Sequence, residues 1–320
     1  MAFYLKTGEN VEQGVKRIVA EQITKAIEEI DNEDLDNHTI VHQVRKRCKK
    51  IRGVFRLVRP LFPEYSQENA WFRDAAKELS YVRDAEAVVE TFDIVVETFN
   101  SQISAERFES LRETLTERRK EIAKDKAGIE KKLVEFRQKM CEARDRLNDW
   151  KLEAEEFEAI EPGLVKTYRR GQKAMGVALE DPTVENFHEW RKRAKYHWYH
   201  TRLLREIWKP VMKKICNEVK DLSDYLGDDH NLAVFRRMIL DSPGEFGGNR
   251  DLQFLLGLID RYSAELRTSS ETLGRRVFGE KPKQLGARFR SYWEAWREEK
   301  QRNSSMLSQK PAVVTAQAEQ

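Results

Sequence analysis

The stretch HQVRKRCKKIRGVFRLVR, residues 42–59, holds a histidine, eight arginines or lysines and no acid. Side chains of these types do their chemistry on anions. Arginine offers a planar fork for two oxygens, and lysine an adaptable point charge. Histidine adds a donor whose charge its surroundings decide. The chain as a whole is nearly neutral, with 58 Lys and Arg against 55 Asp and Glu and a net charge of +3. Like charges one turn apart on a helix cost about 0.2–0.5 kcal/mol per pair. A balanced chain that concentrates cations this way implies a polyanion that favours the arrangement.

The stretch occurs twice. HEWRKRAKYHWYHTRLLR, residues 188–205, aligns with it without gaps and is identical at eight of 18 positions. His42 matches His188, Arg45 matches Arg191, Lys46 matches Lys192, Lys49 matches Lys195 and Arg56 matches Arg202. A second echo follows each copy. LSYVRDAEAVV (79–89) resembles LGDDHNLAVFR (226–236), placing Asp84 opposite Asn231.

Helical geometry sorts these residues. At about 100° per residue, Arg45, Lys46, Lys49, Arg52 and Arg56 fall within roughly 80° of His42. Val44, Cys48, Ile51, Phe55 and Val58 fall on the far side. The second copy repeats this front with His188, Arg191, Lys192, Lys195 and Arg202. Tyr199 joins that front and Trp198 replaces Arg52 on it, while Trp190, Ala194 and Leu204 form the back. From His42 to Arg56 the front runs about 21 Å at 1.5 Å per residue. That length suits several phosphates in a row. A merely solvated face would interleave acids, yet residues 38–63 contain none.

The elements that must position these fronts are helices. Glycine (15) and proline (8) are scarce over 320 residues, and charged residues reach 35 %. No strand of convincing alternation appears, so the expected fold class is all-α. The spacing predicts helices over 10–31, over the basic stretch up to RPLFP, and over roughly 67–81. A fourth begins near Asp84, read as its N-cap. Residues 104–158 fit either one long helix or a hairpin. Asp181 and Pro182 read as a helix start, followed by separate helices at 209–226 and 230–241 and two or three more up to about 302. The domain then covers 1–302, with halves of about 10–150 and 160–302. The polar end, 303–320, reads as a disordered tail. No apolar run is long enough to span a membrane and no signal-peptide layout opens the chain. Three dispersed cysteines imply no disulfide framework, so a cytoplasmic setting is expected.

The paired H-x-x-R-K-R-x-K helices, each followed by an L-[SG]-x4-[DN] turn, resemble the conserved histidine α-helical domain, or CHAD, family. FYLKTGENVEQGVKRI and LGDDHNLAVF share its wording, and the resemblance covers about residues 1–300. It implies two four-helix-bundle-like halves related by a pseudo-twofold axis, with a basic groove or pore between them. It also implies binding of inorganic polyphosphate by a stand-alone member, at cytosolic polyphosphate stores or granules. The matching motif positions are the two fronts named above. Trp198 and Asn231 depart from the pattern. In this layout Arg17, Arg169, Arg170 and Lys173 also reach the groove, and Asp84 and Asn231 act as caps or orient a groove residue.

Other roles compete for these residues. Neither His42 nor His188 has a second ligand at metal spacing, and His197 and His200 point away from the front, so no metal or cofactor is expected. No nucleophile–base arrangement supports catalysis, so no enzyme is expected. Single-stranded RNA is an alternative ligand, because Trp198 and Tyr199 would offer stacking surfaces. Sequence-specific nucleic-acid reading is not indicated. A helical protein-interaction scaffold built on 104–158 is a further alternative.

Overall fold

Asn10 begins the first helix: its side-chain oxygen accepts from the Gln13 amide (2.8 Å), while the Asn10 amide donates to Gln13 Oε1 (3.1 Å). Helix α1 then runs Val11–Ile30. The acidic turn after it ends at Asp36, whose carboxylate accepts from the His38 and Thr39 amides and starts the basic helix α2, Asn37–Val58. Pro60 closes α2 in a short 3-10 turn. The remaining helices are α3 Tyr65–Lys77, α4 Ser80–Thr98, α5 Glu109–Lys124, α6 Lys126–Asp145, α7 Glu161–Glu180, α8 Val184–Leu203, α9 Lys209–Asp241, α10 Asn249–Val277 and α11 Pro282–Ser308. The computed structural model describes residues 3–102, 105–245 and 249–308. Among these residues the chain is all-α, with no strand.

The apolar residues collect into two separate cores. The larger holds the backs of α1, α2, α6, α7 and α8, including Ile18, Phe55, Phe136, Tyr168 and Trp190, each at most 1 % exposed. Burying such a side chain contributes about 1.5–3 kcal/mol. The smaller is built by α4, α5, the end of α9 and α10, around Phe92, Phe108, Phe235 and Leu255. Phe92 meets Phe235 edge-on at 6.2 Å. Helix α9 crosses from one core to the other: Leu226 belongs to the first and Leu232 to the second. Leu79, just before α4, and Val88 divide in the same way. Both repeated Leu-x4-[DN] segments therefore mark the handover between cores.

Several boundaries differ from the sequence reading. Helix α4 starts at Ser80, so Asp84 lies inside it and not at its N-cap position; its side chain falls outside the described residues. Helix α9 is a single helix of 33 residues, which places Asn231 in a helix interior. Gly227 does not break it. A glycine costs about 1 kcal/mol in a helix, and packing of both flanking turns offsets that. Residues 104–158 form neither one helix nor a hairpin. Asp125 interrupts the run and caps α6 by accepting from the Gly128 amide (3.1 Å). Helix α5 then serves the smaller core and α6 the larger. Thr183, not Asp181, caps α8. Residues 303–308, expected in the tail, continue α11, and 309–320 lie outside the described residues.

Candidate polyanion-binding site

The apolar backs read from the sequence are buried. Val44, Cys48, Ile51, Phe55 and Val58 on α2 are all 0 % exposed, as are Trp190, Ala194 and Leu204 in the second copy. Burial pushes the Cys48 thiol up to about 12, which makes it an inert packing group. With their backs held this way, α2 and α8 pack directly against each other.

Their meeting point falls on matching places of the repeat. Gly53 corresponds to Tyr199, and the Tyr199 ring and Cβ lie where a Cβ on Gly53 would be, at 2.8–3.0 Å. One step along, the His200 Nε2 sits 3.2 Å from the Gly53 carbonyl oxygen. On one side of the crossing the Arg56 guanidinium lies 3.8 Å over the Tyr196 ring. On the other, Lys50 and Arg202, which hold the places matching Tyr196 and Arg56, both lie over Phe3, at 5.7 and 5.0 Å. The basic helices thus touch at their centres, and no gap opens there, because Gly53 has no side chain to hold them apart. Gly53→Ala should cost about 2 kcal/mol by overpacking Tyr199. A urea denaturation curve checks this; unchanged stability would show that Tyr199 moves freely.

The cations of the first front are arranged along the exposed edge of the crossing. Lys46 and Lys49 are exposed, and His42, Arg45 and Arg52 are half-buried. Arg45 donates to the Ala76 carbonyl (2.7 Å) and Arg52 to Asn69 Oδ1 (3.2 Å), both on α3. Arg56 is only 8 % exposed and donates to the Arg52 carbonyl (2.9 Å). Neighbouring helices therefore fix the guanidiniums, and the lysines stay adaptable. His42 lines a cavity of about 570 Å³ with His38, Glu86, Glu90 and Arg119.

In the second front, His188, Arg191, Lys192, Lys195 and Arg202 are half-buried. Helix α9 supplies partners for His188 and Lys195. His188 Nδ1 lies 3.1 Å from His230 Nδ1, a hydrogen bond that needs one nitrogen protonated and the other bare. Burial, then Arg191, His188 and Lys49, hold His230 down at about 3. Burial also lowers His188, helped by Lys192 and Arg191. Lys195 stands 3.7 Å from Asp224, yet burial keeps it down at about 8. Asp228 is raised to about 6, by burial and then by Asp224, against the pull of Arg191 and Lys195. Lys49 of the first front and Arg191 of the second thus both act on His230 of α9.

Two assigned residues lie elsewhere. Tyr199 is 2 % exposed, wedged between Gly53 and the rings of Phe3 and Trp198. It holds the crossing together and offers no face to a ligand, because the helices approach on its side. Arg17 is clamped by Glu9 (2.6 Å), Glu21 (3.0 Å) and the Tyr4 carbonyl (2.8 Å), and it ties the N-terminal segment to α1. Arg169, Arg170 and Lys173 are exposed on α7. Asn231 is half-buried within α9. His197 and His200 are buried at 2 % and 0 %, away from the fronts.

Sequence reasoning overlooked His230, Asp228 and Asp224. The signal was present: DDHN immediately precedes the handover to the second core, one helical face away from the repeated Leu-x4-Asn. Lys50, as far from His42 by angle as Arg52, was also passed over. It is 8 % exposed, and burial with Arg47 and Arg202 lowers it to about 7.

With this arrangement in view, residues 17–240 match the family model described as the CHAD domain. No curated protein gives a significant match.

Proposed function

Because the chain belongs to the CHAD domain family, we propose that its two repeated basic faces bind inorganic polyphosphate, without catalysis, as an anchor at cytosolic polyphosphate stores. The observation that carries this reading is the crossing of two cation-lined helices at matching residues of the repeat, Gly53 and Tyr199. Polyphosphate has about one negative charge per unit and no bases, so it needs cations in a row and no stacking platforms. Fixed arginines with adaptable lysines supply that row. Acids such as Asp224 and Asp228 stand among the cations, and they would weaken binding of sparsely charged anions more than of dense ones. A pseudo-twofold relation between the halves belongs to the same reading, and the crossing of the helices at matching residues supports it. None of the described helices is long and apolar enough to cross a membrane.

RNA fits these faces less well. Trp198 already has Lys195 (4.2 Å) and Arg202 (4.9 Å) over its ring and stacks on Tyr199, so its faces are engaged. A titration of long-chain polyphosphate, short oligophosphate and RNA at matched charge tests the proposal. Long-chain polyphosphate should bind tightest, displace RNA, and lose affinity steeply with salt. RNA that resists displacement, with Trp198→Ala more damaging than Lys49→Ala, would replace polyphosphate as the ligand.

A further inference from the structure

Beyond the crossing, at the C-terminal end of α2, a second set of arginines gathers from three helices. Arg56 and Arg59 close α2, Arg170 comes from α7 and Arg193 from α8. The Arg59 Nε and Nη2 atoms are buried and have no hydrogen-bond partner. These two N–H groups share one edge of the guanidinium, the edge that grips two oxygens of an oxyanion side by side. Tyr65 hydrogen-bonds to the same guanidinium and orients it. Burial weakens the charged form of Arg59, and Arg170 and Arg193 weaken it further. Leaving such donors dry and unmet is costly, so this edge of Arg59 is suited to an oxyanion. Arg193 is paired with Glu189, which also holds Lys192, and Arg56 is braced on Tyr196.

The matching places across the repeat are engaged differently. Arg202, Arg205 and Arg47 correspond to Arg56, Arg59 and Arg193. Arg205 pairs with Glu206 and Arg47 with Glu29, while Arg202 lies over Phe3 and Trp198.

We propose that Arg56, Arg59, Arg170 and Arg193 form a discrete phosphoryl subsite at the α2–α7–α8 junction, with the Arg59 Nε/Nη2 edge as its bidentate donor. It extends the polyphosphate footprint past the helix crossing and takes a terminal or internal phosphoryl group. Arg170, exposed on α7, is the member of the set open to solvent. The inference rests on the polyphosphate reading for its natural ligand, while the seat itself is recognised by phosphoryl chemistry alone.

The test follows the Arg59 Nε–H resonance of the full chain by NMR, assigned by its loss in Arg59→Gln, during titration with pyrophosphate and with long-chain polyphosphate. Both ligands should shift it. Arg59→Gln should weaken pyrophosphate binding at least about tenfold and reduce the salt slope for polyphosphate by about one. Arg59→Lys should recover part of the loss, because it keeps the charge without the fork. The resonance is read in wild type, so a poorly folded variant leaves the result intact. A resonance that stays still while polyphosphate binds overturns the subsite and spares the parent reading. A resonance that moves with pyrophosphate while long-chain polyphosphate fails to bind supports the subsite and overturns the parent reading.

Discussion

Reversing Lys46, Lys49 and Lys192 to glutamate together should lower affinity for long-chain polyphosphate at least about 100-fold at roughly 0.15 M salt. Lys46 and Lys49 are exposed on the first front, and Lys192 is half-buried on the second. Three reversals change the local charge by about six units, and each lost phosphate contact flattens the salt dependence by about 0.7–0.9. The fold should survive, because surface substitutions away from the core change stability by about 0.5 kcal/mol or less. Lys192→Glu carries the largest structural risk, as it removes the ion pair with Glu189. Arg45 and Arg191 are worse targets, although they lie on the same fronts. Arg45 holds the Ala76 carbonyl of α3, and Arg191 sits in the field of Asp228 and Asp224 on α9, so reversal there would disturb helix packing as well as charge. Fluorescence anisotropy with labelled polyphosphate, alongside a melting curve, gives both readouts. A folded triple variant that binds like wild type would remove these faces from the binding site.

Why the fronts were legible and their partners were not follows from which interactions have a sequence period. The burial of Cys48, Ile51 and Trp190 is a local property of one helix, set by 3.6-residue spacing, and it can be read by counting. The gapless match of residues 42–59 with 188–205 exposed the repeat in the same way. Tyr199 shows where counting stops. It lies on the basic front by angle, but the neighbour that buries it is Gly53, 146 positions earlier, and only the helix crossing brings the two together. His230 was missed for the same reason, since its partner His188 lies 42 residues away on another helix. Helix boundaries failed where a strong local signal met a stronger tertiary one. Gly227 looks like a stop, yet packing on α8 and α10 carries α9 straight through it. Asp125 looks like any other charged residue in a long run, yet its carboxylate caps α6 and splits the segment between two cores. Arg17 matched a basic position of the family, but the glutamates that claim it surround it only after folding.

Acidification from about pH 7.5 to about pH 5 should destabilise the protein by about 2 kcal/mol through His197 alone, with His200 adding in the same direction. Both imidazoles are buried in the larger core's layer, at 2 % and 0 % exposure. Burial holds His197 down at about 3, and it holds His200 well below its ordinary value. In the unfolded chain they titrate near 6.5. Below that pH the unfolded state binds protons that the folded state refuses, so stability falls as pH drops from about 6.5 towards 3. At pH 5 the gap is about 1.5 pH units, worth about 2 kcal/mol for a fully buried ring. Asp228 works the other way. Its folded value of about 6 lies above that of an unfolded aspartate, so protonating it on acidification returns some stability. His197→Phe separates these contributions. The ring already packs edge-on against Tyr168 (5.2 Å) and beside Phe278 (5.7 Å), and a cavity of about 200 Å³ along its edge gives the larger ring room. The variant should lose about 2 kcal/mol less than wild type between the two pH values in urea denaturation. Equal losses would mean that His197 takes up its proton in the folded protein over the same pH range as in the unfolded chain, and that the core around it admits a charge.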